Sequence, residues 1–68
     1  MDASILKEIM RQKKISQNKL SQMAEIPTSN MSLLLNDKSP IYPGWRRRIA
    51  RALDMTEEAL FPEFEVKV

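Results

Sequence analysis

The side chains best suited to chemistry lie in two short polar stretches, residues 17–22 and 28–36, on either side of Pro27. Most of them are neutral amides and hydroxyls, which can donate and accept hydrogen bonds. Groups of this kind pair with the edges of DNA bases and with phosphate oxygens. The pattern therefore predicts a surface that binds nucleic acid. Its polar members are Gln17, Asn18, Lys19, Ser21, Gln22, Thr28, Ser29, Asn30, Ser32 and Asn36.

Apolar residues in both stretches recur every three or four positions, which is the period of one face of a helix. The spacing predicts two short amphipathic helices, the second and third of the chain. Glu25, Ile26 and Pro27 leave room between them for one tight turn. Two helices joined in this way form a helix-turn-helix, a motif that binds DNA. The apolar residues are Leu20, Met23 and Ala24, then Met31, Leu34 and Leu35.

Three further helices are predicted outside this motif. The first begins after Asp2 or Ser4, either of which could accept hydrogen bonds from the first free amides. The fourth covers about residues 45–53 and follows a loop at residues 36–44 that contains several turn formers. The fifth covers residues 57–61 and ends before a proline.

Particular residues should start these helices and face the core. Ser16 and Thr56 are the predicted N-caps of the second and fifth helices, and Pro27 or Thr28 opens the third. The residues expected to point inward are Ile5, Leu6, Ile9 and Met10 in the first helix, and Ile49, Ala52 and Leu53 in the fourth.

The predicted fold class is all-α. Residues 1–62 form one compact five-helix domain, and residues 63–68 form a short extended tail. Phe64 and Val66 in the tail alternate with charged residues, which is a strand-like pattern. A single strand needs a partner, so the tail could pair with its symmetry mate in a dimer. The alternative is a frayed chain end.

Composition limits the classes of site and of protein. The chain has 68 residues with no Cys and no His, so we expect no disulfide, no metal, no cofactor and no catalytic residue. Without a glycine-rich loop, an enzyme is the weakest functional class. No apolar run approaches the length of a membrane span, and the N-terminus does not resemble a signal peptide. We therefore expect a cytoplasmic protein.

Charge is unevenly distributed along the chain. Residues 1–53 carry ten Lys and Arg against four Asp and Glu, whereas residues 54–68 carry one Lys against five acidic residues. Three arginines, Arg46 to Arg48, are expected in the first turn of the fourth helix, where the helix dipole disfavours cations. A nearby phosphate would explain that placement. Arg48 and Arg51 could instead pair with the acidic C-terminal segment. Trp45 is expected in the core or at its rim.

The order of these features matches a known family over residues 5–61. A first helix with a basic end precedes a Ser-Gln pair that opens the second helix, and the fourth helix is basic. Other matching residues are Leu20, Ile26, Ser29 to Ser32, Asn36 to Lys38, and Ala52 to Phe61. In these respects the chain resembles the lambda-repressor-like family of helix-turn-helix regulators, the Cro and CI type.

The resemblance implies that the third helix reads base edges in the major groove while the second lies across it. Asn30 can pair with adenine and Leu33 can pack on a thymine methyl group. The alternatives are a solvated Asn30 and a core or dimer contact for Leu33. The resemblance assigns base reading to Thr28, Ser29, Asn30 and Leu33. It assigns phosphate binding to Gln17, Lys19, Asn36, Lys38, Arg46 and Arg47. The residues expected at the dimer interface are Leu60, Phe61, Phe64 and Val66.

Three positions depart from the family pattern. Glu25 stands where relatives usually have Gly, so it must adopt a left-handed backbone or a different turn. Ser21 stands where many have Ala, at the close approach of the second and third helices. Met10 and Leu35 replace an Arg and a Glu that form a buried ion pair in many relatives. Because both partners are apolar together here, we predict that Met10 contacts Leu35.

The predicted function is a sequence-specific regulator of transcription that binds double-stranded DNA, a repressor of phage or mobile-element type. It is expected to bind a pseudo-palindromic operator as a homodimer, with half-site centres about 34 Å apart, and to need no small-molecule effector. A restriction-modification controller and an antitoxin remain alternatives within this fold. A module that binds a partner protein is the alternative from a different class.

Overall fold

The computed structural model describes residues 3–62, which form five helices. They are α1 (Ser4–Lys13), α2 (Gln17–Ala24), α3 (Thr28–Leu35), α4 (Pro43–Ala52) and α5 (Glu57–Leu60). This architecture confirms the all-α, five-helix prediction. The helix α2 packs against both α3 and α4, and α5 packs against α4. The tail prediction, including Phe64 and Val66, lies outside the described residues.

One hydrophobic core holds the helices together, and each helix contributes to it. Burial of a large apolar side chain contributes about 1.5–3 kcal/mol, so a handful of such residues can stabilise a domain of this size. The largest fully buried side chains are Phe61, Leu6, Leu20, Met31, Leu34, Ile49, Leu53 and Leu60.

The prediction of which residues face the core was wrong at the margins of the apolar helix faces. Ile5 is 41% exposed and Met23 is 39% exposed, although both were expected to face the core. Ala50 and Ser21 are buried instead. Helices of eight to ten residues make only two or three turns, so a residue at the margin of a stripe can fall on either side of the surface. Burial of Ser21 agrees with its expected place at a close helix approach.

Side-chain caps start two of the helices as predicted. The Ser16 Oγ accepts a hydrogen bond from the backbone N–H of Lys19 at 3.1 Å, and the Thr56 Oγ1 accepts one from that of Ala59 at 3.2 Å. The helix α3 begins at Thr28, directly after Pro27. These three starts confirm the local sequence reasoning.

Two other helix starts differ from the prediction. The helix α1 has Ala3 as its N-cap residue and no side-chain cap, so the expected cap at Ser4 is wrong, and Asp2 lies outside the described residues. The helix α4 begins at Pro43, two residues before Trp45. A proline suits the first position of a helix because its missing N–H would have no intrahelical acceptor there. Reading Pro43 as part of the loop was therefore wrong.

Four helices end in the same left-handed motif without a glycine. Lys14, Glu25, Asp37 and Asp54 have φ angles of 55–57°. At each one, its N–H and the next residue's N–H donate to carbonyls of the last helical turn, for example Glu25 N to Gln22 O at 3.3 Å. A side chain in this conformation costs about 1–2 kcal/mol. The expected left-handed backbone at Glu25 is thus confirmed.

Replacement of Glu25 by glycine should stabilise the domain. Glycine removes the left-handed penalty but loses more entropy on folding, so the net gain should be about 0.5–1 kcal/mol. Thermal unfolding should show a rise in Tm of about 2–8 °C. Glu25→Ala, which removes the charge and keeps Cβ, should show no such gain. Equal stability of the Gly and Ala variants would contradict this explanation.

Asp37 provides a second comparison for that experiment, because its side chain has a partner far away in the sequence. The Asp37 Oδ1 accepts a hydrogen bond from the backbone N–H of Ala3 at 2.9 Å. Asp37→Gly should relieve the same backbone strain but lose this bond, which is worth about 1 kcal/mol. We therefore expect it to gain less stability than Glu25→Gly, or to lose some.

Met10 and Leu35 are both buried, with exposures of 8% and 7%, and belong to the same core cluster. This placement is compatible with the predicted contact between them. The contact itself stays a prediction.

Candidate nucleic-acid interface

The helix α3 has one face in the core and one face in solvent. Thr28 and Ser29 are exposed and Asn30 is partly exposed. Leu33 is 43% exposed, whereas its neighbours Leu34 and Leu35 are buried. The expectation that Leu33 faces outward among three consecutive leucines is confirmed. All four residues assigned to base reading can therefore be reached from outside the protein.

The start of α2 presents two residues assigned to phosphate. Gln17 is the first residue of this helix and is partly exposed, and Lys19, two residues further on, is exposed. The buried Ser21 hydroxyl donates to the Gln17 carbonyl at 2.9 Å. Since Ser16 caps the same end, the backbone that carries Gln17 is held by two side-chain hydrogen bonds.

The three residues that follow α3 have different surroundings. Asn36 donates from Nδ2 to the Ser32 carbonyl at 2.8 Å, which leaves its second amide hydrogen for another acceptor. Lys38 is exposed. The carboxylate of Asp37, between them, accepts the Ala3 N–H and is thereby tied to the start of α1. An acidic residue in a loop assigned to phosphate thus has a structural role.

The three consecutive arginines of α4 have different surroundings. Arg46 places Nε 3.6 Å from Glu57 Oε1 and donates from Nη1 to the Ile41 carbonyl at 3.5 Å. Its side chain is only 15% exposed. Arg47 is exposed, and Arg48 donates from Nη1 to the Glu25 carbonyl at 3.1 Å. Because α4 starts at Pro43, Arg46 is its fourth residue, at the end of the first turn.

The alternative that Arg48 and Arg51 pair with the acidic segment is not seen among the described residues, and Glu63 and Glu65 lie outside them. Within residues 3–62, it is Arg46 that pairs with that segment, through Glu57, while Arg48 binds a backbone carbonyl. Helical periodicity explains the difference, because residues two positions apart lie on nearly opposite sides of a helix. Only the position of α5 could decide which arginine meets it.

Tyr42 is a surface residue that the sequence reasoning missed. It is 55% exposed and directly precedes α4. Its ring meets that of Trp45 edge to face, with centroids 5.1 Å apart and an interplanar angle of 77°. Trp45 is partly buried against the core, as predicted. Proline on either side of the Ile41-Tyr42 pair was the available indication of a fixed, outward position.

Ion pairing also engages one cation of α1. Arg11 forms a salt bridge with Glu8 on the solvent side of the helix. This hydrogen bond from Arg11 lowers the pKa of the Glu8 carboxyl, and Glu8 raises the pKa of Arg11. Both side chains are exposed to solvent, so the pair contributes little stability. That small contribution is present above the ordinary Glu pKa and declines as the pH falls through the lowered one.

Two of the residues assigned to a dimer surface occupy the core instead. Leu60 and Phe61 are each 1% exposed and pack with residues from the other helices. A short α5 that is docked on α4 has no second apolar face to offer, so these residues cannot also meet a partner in this arrangement. The assignment of Leu60 and Phe61 was wrong; Phe64 and Val66 lie outside the described residues.

Residues 3–62 lack two further kinds of feature. This part of the chain contains no group of three or more Asp and Glu side chains placed to hold a metal ion. None of its helices is long and apolar enough to cross a membrane.

Comparison with known proteins agrees with the geometry. The family model for the Cro/C1-type helix-turn-helix DNA-binding domain matches residues 6–61. No curated protein and no solved structure gave a match. The family is typically non-enzymatic. Because the match spans most of the chain and coincides with the five helices, the protein belongs to the Cro/C1-type helix-turn-helix family and is a DNA-binding regulator of transcription.

Proposed function

We propose that α3 enters the major groove and reads base edges with its N-terminal half, while α2 and α4 hold the flanking phosphates. The observation that carries this proposal is the division of α3. Met31, Leu34 and Leu35 fix one face in the core, and Thr28 and Leu33 project from the other. A helix held in this way can present its outer side chains to a groove without rearrangement.

Asn30 and Leu33 supply most of the base preference in this proposal. An asparagine amide can form two hydrogen bonds with adenine, and a leucine can pack on a thymine methyl group. Thr28 and Ser29 donate or accept and therefore specify weakly. Since none of these four residues is a cation, the protein lacks the arginine–guanine pair that is common in major grooves. Its sites should accordingly be rich in A·T pairs.

Phosphate contacts supply most of the affinity. Lys19 in α2, Lys38 in the loop after α3 and Arg47 in α4 are exposed cations, and the amides of Gln17 and Asn36 add neutral donors. Arg46 has a different role in this proposal. Its charge is balanced by Glu57, so it braces α5 against α4 more than it attracts DNA.

The active species in this proposal is a homodimer on a pseudo-palindromic operator. One module covers a half-site, and two-fold symmetry places a second about one helical turn away, roughly 34 Å. With Leu60 and Phe61 in the core, Phe64 and Val66 remain as the proposed dimer contacts. A dimer bound at a promoter can exclude polymerase, so we propose repression, in a phage or other mobile element.

Asn30→Ala and Arg47→Ala should separate base reading from phosphate binding. Asn30→Ala removes a bidentate base contact, so it should cost about 1–3 kcal/mol on the preferred duplex and little on a shuffled one. Arg47→Ala removes a phosphate contact and should weaken binding to both duplexes by a similar factor. Fluorescence anisotropy at one fixed salt concentration measures all four affinities. Loss of discrimination in Arg47→Ala, with discrimination retained in Asn30→Ala, would contradict these roles.

A further inference from the structure

A basic side chain of another helix binds the carboxyl end of α2. No basic residue lies in the last turn of α2, although a helix C-terminus attracts positive charge. Arg48, in the middle of α4, donates from Nη1 to the carbonyl of Glu25 at 3.1 Å. Glu25 is the left-handed residue that ends α2, and it stands 23 positions before Arg48. The bond therefore joins α4 directly to the turn of the helix-turn-helix.

Side-chain packing does not fill the space around this bond. Arg48 and Glu25 line an open cleft of about 230 Å³ between the end of α2 and α4, together with Met23, Ala24, Arg51 and Ala52. Met23 is 39% exposed there. Elsewhere along these helices, α2 and α4 pack together, and Leu20 of α2 and Ile49 of α4 are both part of the hydrophobic core. At the turn itself, the link across to α4 is polar.

From this geometry we infer that Arg48 is a positioning residue for sequence reading: by holding the Glu25 carbonyl, it fixes the direction in which α3 leaves the turn. The inference rests on the proposed function of α3. Only Ile26 and Pro27 separate Glu25 from the first residue of α3, so a change in the Glu25 backbone is transmitted to the axis of that helix. Arg48 need not contact DNA for this role.

Small changes in the direction of α3 should affect base contacts and phosphate contacts unequally. At a rise of about 1.5 Å per residue, Asn30 and Leu33 lie about 3 and 7.5 Å along α3 from its first residue, so a tilt of about 10° at that end moves them by about 0.5 and 1.3 Å. Hydrogen bonds to base edges tolerate only a few tenths of an ångström. Attraction between a lysine and a phosphate varies slowly with distance. Loss of the Arg48 bond should therefore reduce discrimination while most of the non-specific affinity remains.

Arg51 provides a matched control. It lies on the same helix and lines the same cleft, but its side chain makes no hydrogen bond or ion pair within residues 3–62. Arg48→Met and Arg51→Met each remove one positive charge and keep an unbranched stem with good helix propensity. Arg48→Lys keeps a charge and a donor. Thermal unfolding followed by circular dichroism shows that each variant is folded.

The test compares affinities for a duplex that the wild-type protein enriches from a random pool and for a shuffled duplex of the same composition. We expect Arg48→Met to lower the ratio of the two affinities by roughly five- to tenfold, which corresponds to the net contribution of one ordinary hydrogen bond, because the Arg48 bond is exposed to solvent. Arg51→Met should change both affinities alike and keep the ratio within about twofold. Arg48→Lys should restore part of the ratio.

A second measurement does not involve DNA. Amide hydrogen exchange should be about tenfold faster at Glu25 and Ile26 in Arg48→Met, because the turn opens more often, and unchanged in Arg51→Met. An unchanged exchange rate, or an unchanged affinity ratio in Arg48→Met, would overturn the positioning role and leave the proposed function intact. A wild-type protein that fails to discriminate between the duplexes would overturn the proposed function, and the inference with it.

Discussion

Met10→Arg should leave most of the protein unfolded, and the same change combined with Leu35→Glu should restore much of the folded state. Both wild-type side chains are more than nine-tenths buried in one cluster. An unpaired buried charge costs about 3–5 kcal/mol, which is comparable with the entire stability of a small domain. A second, opposite charge within reach would satisfy the first.

Urea unfolding of the wild type, the two single variants and the double variant measures this coupling. We expect a coupling free energy of at least about 2 kcal/mol if the two side chains touch. Ile5→Arg is the control, because Ile5 lies on the same helix and is 41% exposed; it should cost less than about 0.5 kcal/mol. Additive losses in the double variant would show that Met10 and Leu35 are apart.

Raising the salt concentration from 50 to 200 mM should weaken operator binding by about a thousandfold. Each phosphate that a cation neutralises releases condensed counterions, so affinity falls steeply with salt. The exposed cations assigned to phosphate are Lys19, Lys38 and Arg47, which makes six in a dimer. A monomer with three such contacts should lose only about fortyfold over the same range. The slope of log affinity against log salt concentration therefore also distinguishes a dimer from a monomer.

Neighbouring arginines provide the internal comparison for this titration. Arg47→Gln should reduce the magnitude of the salt slope by about two, one for each copy of the exposed cation. Arg46→Gln should change it less, because Glu57 already balances that charge. A slope near zero for the wild type would contradict phosphate binding altogether. Equal effects of the two variants would show that the Arg46–Glu57 pair opens on DNA.

Local features of the fold could be predicted from the sequence with fair accuracy. Ser16 and Thr56 act on amides three residues away, so their capping roles follow from the sequence alone. The outward position of Leu33 follows from helical geometry, since three consecutive residues cannot share one face. The order of the five helices was also predictable, because each has its own start and stop residues.

Contacts between distant residues could not be predicted in this way. The bond from Ala3 to Asp37 spans 34 positions, and that from Arg48 to Glu25 spans 23. Each depends on how helices are placed in space, which hydrophobic periodicity does not specify. The burial of Phe61 could not be predicted for the same reason. A large apolar residue near a chain end suits a core or a dimer surface equally well until the position of α5 is known.

Selection of bound duplexes from a random pool tests the central claim, that α3 reads base edges as part of a dimer, most directly. We predict enrichment of an A·T-rich pseudo-palindrome whose half-site centres are about 34 Å, or one helical turn, apart. Asn30→Ala should lose base preference at a symmetric pair of positions within it. Recovery of duplexes without any common sequence, or of a site unaffected by Asn30→Ala, would contradict the claim.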